Sequence, residues 1–323
     1  AKVVKHFKDL AFMGFYEVLI NIVTILKNIS FCKKDILEFN PDKIIFIDYP
    51  GFNMRIAKWS KKYKFKTVYY IAPQLWAWNE KRIKNIKKHI DFLYVILPFE
   101  KEFFELKHNY PVKFLGHPLV DSISNFKRNY DSSKEQIISN KKPVIAILPG
   151  SRKQEIKKIL NIVIKIVEYF PNHQFIVAGA PNIELSYYNS SLKNKNIKVI
   201  ENKTYELLSI STAAIVTSGT ATLETALFKV PQVVCYKSSY FSYFIAKLIV
   251  KIKYISLVNL IMDQQIVKEL IQQDCNKVNI TNELKKILDL NHRKSLLIKY
   301  DKLTSVLGNY GTSKRVALDI IKK

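Results

Sequence analysis

Seven short runs rich in β-branched and aromatic residues recur along this chain, most of them separated by longer segments of helical period. They are KIIFID (Lys43–Asp48), TVYYIA (Thr67–Ala72), FLYVIL (Phe92–Leu97), VIAILP (Val144–Pro149), QFIVAG (Gln174–Gly179), AAIVTSG (Ala213–Gly219) and QVVCY (Gln232–Tyr236). Runs of this length and branching predict buried strands. Between the fourth and fifth runs, Ile156, Ile159, Leu160, Val163, Val167 and Phe170 form one apolar stripe at helical spacing. Apolar strands that alternate with amphipathic helices point to parallel sheets with both faces covered. The predicted class is α/β.

At 323 residues the chain is long for one core and comfortable for two domains. The stretch Ser122–Pro143 is polar and lacks a strong apolar period. It separates two α/β stretches and predicts domains over 1–135 and 136–323. From about Thr281 the sequence reads as helices, the last of them capped by Thr312 or Ser313.

A net charge of +25 favours anionic partners: nucleic acid, an acidic membrane surface or phosphorylated substrates. Lys, Ile and Asn also crowd the chain, as an AT-rich coding sequence would produce, so much of the charge is compositional. No RNA-binding signature or aromatic–basic interleaving is visible, which argues against nucleic acid. Against the Lys-rich background the rarer residues carry more information. There are eight glycines and six arginines, and Gly150 and Arg152 fall together. The three cysteines, Cys32, Cys235 and Cys275, form no CxxC, and the six histidines form no HExxH. Neither a disulfide framework nor a zinc site is suggested, and a reducing, cytoplasmic compartment is expected. The apolar run Ala11–Leu26 contains Glu17 and Asn21, which predicts an amphipathic or core helix in preference to a membrane span.

Three turns carry candidate chemistry. VIAILPGSRKQEIKKIL (Val144–Leu160) reads strand, tight turn, helix. Ser151 is expected to cap the helix with Gln154 as its capping-box partner, and Arg152 sets a charged fork beside the unpaired N–H groups of the first turn. AAIVTSGTATLETALF repeats the logic at Ser218-Gly219-Thr220, with Glu224 one turn inside the helix, where it can reach ribose hydroxyls. Two such turns in one domain predict a nucleotide-diphosphate site. KIIFIDYPGFN ends a strand on Asp48, either a general base or a helix N-cap or turn carboxylate. Trp76 and Trp78 of APQLWAW form either a wall for a sugar or acyl chain or part of the core.

Taken together, these residues resemble the lipid-A-disaccharide synthase family. IDYPGFN, APQLWAW, LPFEKEFFE, FLGHPLVD, LPGSRKQEI, SGTATLE and LVNLIMDQQIVKELIQ occur in the family's order, from about Ala11 to the C-terminal helix. The resemblance implies a GT-B fold, two Rossmann-like domains facing across a cleft. It implies an inverting transfer that joins UDP-2,3-diacylglucosamine to 2,3-diacylglucosamine 1-phosphate (lipid X), giving lipid A disaccharide 1-phosphate and UDP. No metal or other cofactor is implied. The expected location is cytoplasmic and peripheral, at the inner face of the inner membrane of a Gram-negative bacterium, with homodimerisation left open.

By the resemblance, Asp48 is the base and Arg152 meets the leaving UDP. Gly150, Ser151, Ser218, Gly219 and Thr220 surround the UDP-sugar, Glu224 holds the ribose, and Asn259 and Gln265 lie on the donor side. Trp76 and Trp78 lie on the acceptor side. Gln265 stands where the family often has glutamate, and Gly51 leaves no second carboxylate in its loop. The family begins with a strand and a glycine-rich loop. Nothing before Ala11 resembles them, so the N-terminal domain is expected to lack its first βα unit. GFYEVLINIV (Gly14–Val23) and YFSYFIAKLIVKIKYI (Tyr240–Ile255) suit an anionic membrane surface or a core. The other readings are a different UDP-sugar enzyme of the same fold, such as a peptidoglycan precursor transferase or an epimerase, and a remnant that binds nucleotide without turnover. The tryptophan motif and the LVNL segment argue against the first.

Overall fold

The computed structural model describes residues 2–6, 21–131, 142–192, 197–239, 243 and 252–323. Most of Gly14–Val23 and of Tyr240–Ile255, the two stretches expected at a membrane, lies outside them. The chain forms two compact units, Ala1–Ile96 with Glu100–Phe114, and Leu97–Phe99 with Leu115–Lys323.

The first unit holds a parallel sheet in the order β1 (Lys43–Ile47), β2 (Lys66–Tyr70), β3 (Phe92–Val95), β4 (Lys113–Phe114). Helices α1 (Ile22–Phe39), α2 (Pro50–Ser60), α3 (Leu75–Trp78) and α4 (Ile83–His89) accompany it. Local chemistry sets their ends. Helix α1 stops at Asn40, which takes the left-handed conformation at φ 47°. Helix α2 starts on Pro50, whose fixed φ and missing N–H suit a first helical position. The core gathers Ile44, Phe46, Ile56, Tyr69, Leu93 and Phe104. Strand β1 departs from the expectation of two covered faces: Ile44 and Phe46 are buried, while Ile45 and Ile47 stay 48% and 56% exposed. Its side chains alternate about the pleat and only one set is packed.

The second unit is built on six parallel strands: β5 (Val144–Leu148), β6 (Gln174–Gly179), β7 (Lys198–Glu201), β8 (Ser211–Thr217), β9 (Gln232–Tyr236) and β10 (Lys268–Ile271). Their order across the sheet is β10-β9-β8-β5-β6-β7. The chain winds outward from β5 through β6 and β7, returns to pair β8 with β5, and winds out the other way. The seam between β5 and β8 is therefore the topological switch point of a doubly wound sheet. All seven predicted strands are present. β4, β7 and β10 were not foreseen, and they are short strands or lie at sheet edges.

All five residues of β5 are buried. Ile145, Ile147 and Ile215 are fully enclosed, each contributing on the order of 1.5–3 kcal/mol. The predicted stripe holds: Ile156, Ile159, Leu160 and Val163 pack into this core.

The helices of this unit are α5 (Pro118–Asn129), α6 (Lys153–Val163), α7 (Leu185–Leu192), α8 (Thr204–Ile210), α9 (Thr220–Leu227), α10 (Leu257–Met262), α11 (Lys277–Leu288), α12 (Leu290–Leu307) and α13 (Thr312–Lys322). The run of helices expected from about Thr281 is thus present as α11 to α13. Helix α5 lies inside the predicted first domain, yet it belongs to the second unit. The compact units divide near 114, not at 135. The reason is the FLGHPLVD motif. Asp121 on α5 accepts hydrogen bonds from the backbone N–H groups of Gly311, Thr312 and Ser313 at 2.7, 3.1 and 2.7 Å. Gly116, at φ +112°, lets the backbone lie against Thr312 with no room for a Cβ. Arg315 donates to the carbonyls of Leu115, Asn309 and Tyr310. The motif clasps the last helix. The cap of α13 is accordingly not Thr312 or Ser313: its N-cap position is Gly311, and a tertiary carboxylate serves the N–H groups.

Candidate active site

Four strands of the second unit deliver their carboxyl ends to one cavity of about 420 Å³. From β5 come Pro149, Gly150, Ser151 and Arg152, and from β8 come Thr217, Ser218, Gly219 and Thr220. β6 adds Ala180 and Pro181, and β9 adds Tyr236. The cavity sits at the switch point, where the βα turns on either side diverge and leave a crevice.

Gly150 has φ +101°, and an added Cβ would come within 2.8 Å of Glu155 Oε2 and 3.3 Å of the Thr217 methyl. Only glycine makes this turn without strain. Gly219 has φ +148° and is the N-cap of α9, with open space on its Cα. A ligand can approach the backbone there. Thr217 Oγ1 is buried and has no hydrogen-bond partner. The Ser218 hydroxyl is already used, donating to the Ile255 carbonyl at 2.7 Å. Thr220 is exposed at the first position of α9.

The Ser151 capping box is not formed. The N-cap of α6 is Arg152, with no side-chain cap, and the Ser151 carbonyl accepts from Asn182 at 3.4 Å. The N–H groups of the first turn therefore have no side-chain oxygen bound to them, which keeps them available to an anion. The Arg152 side chain is 75% exposed, and one guanidinium nitrogen is held by Glu155 Oε1 at 3.0 Å. Glu155 thus aims the fork and guards Gly150. Sequence reading missed it, although its place three residues after Arg152 was a usable signal.

Glu224 lines the same cavity from inside α9. Tyr205 donates to its Oε1 at 2.9 Å, leaving the second oxygen for a ligand. Burial raises the Glu224 carboxyl above its ordinary value, and the Tyr205 hydrogen bond offsets part of the rise. Burial and the neighbouring carboxylate raise the Tyr205 phenol in turn. No sequence pattern marked Tyr205, because its pairing with Glu224 is tertiary.

Asn259 does not join the cavity. It is fully buried: its amide nitrogen donates to Val267 O and Glu269 Oε1, and its carbonyl accepts from the N–H groups of Ile266 and Val267. Every polar atom of its side chain is spent on the turn between α10 and β10, so the expected contact with a donor has no free group here to make it. Gln265 is exposed on that turn and does not line the cavity.

In the first unit, Asp48 stands at the carboxyl end of β1 with φ +47°, followed by Tyr49 at φ +45°. Its carbonyl accepts from the Tyr69 hydroxyl at 2.5 Å and from Asn53 at 2.7 Å. These bonds hold the backbone in an uncommon conformation while the Asp48 side chain stays exposed. Trp76 donates from Nε1 to the buried Glu100 carboxylate at 3.0 Å, so it is partly a structural residue. Trp78 is 50% exposed, with the Arg82 guanidinium 4.7 Å from its ring centre. Among the described residues, no group of three or more His, Cys, Asp and Glu is placed to hold a metal ion. Nor is any helix there long and apolar enough to cross a membrane.

This fold recurs in known structures. A UDP-GlcNAc 2-epimerase from Neisseria meningitidis bound to UDP-GlcNAc aligns with TM-score 0.66 over 97% of this chain and 83% of its own, at 16% identity. A spinosyn rhamnosyltransferase aligns with TM-score 0.59 over 92% of this chain and 77% of its own, at 10% identity. At such identities the likeness shows the fold, which is GT-B, with two Rossmann-like parts. Sequence relatives are nearer. A lipid-A-disaccharide synthase of Coxiella burnetii is 36% identical over 95% of this chain and 83% of its own length. One of Sulfurihydrogenibium is 34% identical over 98% and 86%, and lipid-A-disaccharide synthase 1 of Legionella pneumophila is 36% identical over 93% and 80%. The model of the lipid-A-disaccharide synthetase family matches residues 1–315. With that match, the chain belongs to the lipid-A-disaccharide synthetase family and is a glycosyltransferase of lipid A biosynthesis.

Proposed function

We propose that the enzyme transfers 2,3-diacylglucosamine from its UDP donor to the 6-hydroxyl of 2,3-diacylglucosamine 1-phosphate, with inversion, releasing UDP. The bond between the donor's anomeric carbon and the β-phosphate oxygen breaks as the acceptor oxygen attacks from the opposite face. Asp48 takes the hydroxyl proton. The charge that gathers on the departing β-phosphate is met by Arg152 and by the N–H groups at the starts of α6 and α9. Donors fixed in advance stabilise such charge more than solvent would. Glu224, oriented by Tyr205, accepts from the ribose hydroxyls. Trp78 stands on the acceptor side, and the protein works peripherally at the inner face of the inner membrane.

The observation that supports this best is the single cavity at the β5–β8 switch point, which unites both glycine turns with Arg152 and Glu224. The test is a disaccharide synthase assay in detergent with both lipid substrates, wild type beside Asp48→Asn and Arg152→Ala. Product from the wild type and a loss of about 10²-fold or more in each variant is the expected result. Full activity in either variant would remove that residue's role. UDP binding without product in the wild type would replace the reading with that of a nucleotide-binding remnant.

A further inference from the structure

A second cavity, of about 290 Å³, opens in the first unit. It is lined by Pro50 and Gly51, which begin α2 immediately after Asp48 and Tyr49, by further residues of α2 and by residues of two further segments. Two of the chain's six arginines converge on it: Arg55 from α2, and Arg82 from the turn before α4. In a chain whose remaining basic surface is almost all lysine, that convergence is informative. A guanidinium presents a planar fork matched to phosphate oxygens, and a lysine does not. No acidic residue lines the cavity, and none of the ion pairs among the described residues involves either guanidinium. Two like charges gathered without a counter-charge repel each other unless an anion joins them.

The rest of the wall narrows the ligand. Arg82 lies over the Trp78 ring, which fixes the plane of its fork and leaves its edge donors open. Asn85 adds a neutral polar group. Met54, Leu75 and Ile86 give an apolar floor, Leu75 and Ile86 being 3% and 1% exposed. A bare inorganic ion has no use for such a floor, whereas a phosphate carried on a carbon skeleton does.

We propose that this cavity holds the anomeric phosphate of the acceptor sugar, with Arg55 and Arg82 as its two ligands. The proposal rests on the acceptor half of the function above. It gives the acceptor two anchor points in the first unit, the phosphate among the arginines and the nucleophilic hydroxyl beside Asp48. It also makes phosphate the feature by which the enzyme tells its acceptor from the same lipid without phosphate.

The test is calorimetric titration of the full chain in detergent with short-acyl 2,3-diacylglucosamine 1-phosphate, with its dephosphorylated counterpart and with inorganic phosphate. Wild type is compared with Arg55→Gln, Arg82→Gln and the double variant. Both arginines are exposed, so the variants are expected to fold, and an unchanged UDP titration checks this. The wild type is expected to prefer the phosphorylated sugar about 10- to 100-fold over the other two ligands, the double variant to show no preference, and each single variant to lose about tenfold. An undiminished preference in the double variant, or none in the wild type, would overturn the proposal. Inorganic phosphate binding as tightly as the sugar phosphate would overturn the assignment to the acceptor. An arginine-dependent preference in a protein that forms no disaccharide would leave the phosphate site standing and sink the glycosyl-transfer reading. Disaccharide formation without that dependence would do the reverse.

Discussion

Glu224 combines burial with a hydrogen-bonding task, and the two pull on its proton in opposite directions. Desolvation raises its carboxyl above the ordinary value, so it takes up its proton at a higher pH than an exposed glutamate would. Donor binding that needs the ionised form should therefore weaken as the pH falls through that raised value. Glu224→Gln should bind UDP more weakly at neutral pH and lose this acid-side dependence. For stability the sign reverses. The folded state binds the proton more tightly than the unfolded state, so this group's contribution is lost as pH rises. The glutamine variant should then melt no lower than wild type at neutral pH. Titrating UDP against both proteins across the acid range, with melting curves alongside, checks the two signs together. At this scale the sequence was informative wherever a single residue type is demanded by its own backbone. Gly150 and Gly219 were legible because few residues tolerate their φ values. Tyr205 and Glu155 were not, since nothing in their immediate neighbours marks them as partners of the site.

Helix ends are where local reading was least reliable. Ser151 was expected to cap α6 and Thr312 or Ser313 to cap α13, and none of them does. At α6 the uncapped end faces the candidate phosphate site, where a ligand can supply the missing acceptor. At α13 the cap is Asp121, from a helix far back in the chain. Burial by itself would raise the Asp121 carboxyl, but the hydrogen bonds from Ser313, Gly311 and Thr312 outweigh it and hold the group below its ordinary value. The stability it provides is thus complete above the ordinary carboxylate range and is lost as pH falls through the lowered value. Asp121→Ala should cost about 1–2 kcal/mol or more, since several N–H groups lose their acceptor together. Its melting temperature should fall at neutral pH and converge toward wild type in acid. An unchanged melt at neutral pH would show that water serves the helix end equally well. The same observation makes FLGHPLVD a structural clasp in this chain.

Across the whole molecule, salt separates a compositional from a functional origin of the charge of +25. If the protein works on a membrane surface, it should sediment with vesicles rich in anionic phospholipid and not with neutral ones. That binding should fall steeply as sodium chloride is raised from about 0.1 M to 1 M, where the screening length drops from about 10 to about 3 Å. Equal binding to both kinds of vesicle would assign the charge to composition alone. The sequence by itself determined the α/β class, the seven principal strands, the two glycine turns and the strand-end carboxylate. Each of these follows from periodicity or turn chemistry within a few consecutive residues. The tertiary structure alone decided that β5 and β8 are neighbours, so that two separate turns form one cavity. It also decided that α5 packs with the second unit and that Arg55 and Arg82 line one cavity. These are pairings between distant segments. They are fixed by how sheets and helices pack into a common core, and that packing leaves no periodic trace in either partner's own stretch of sequence.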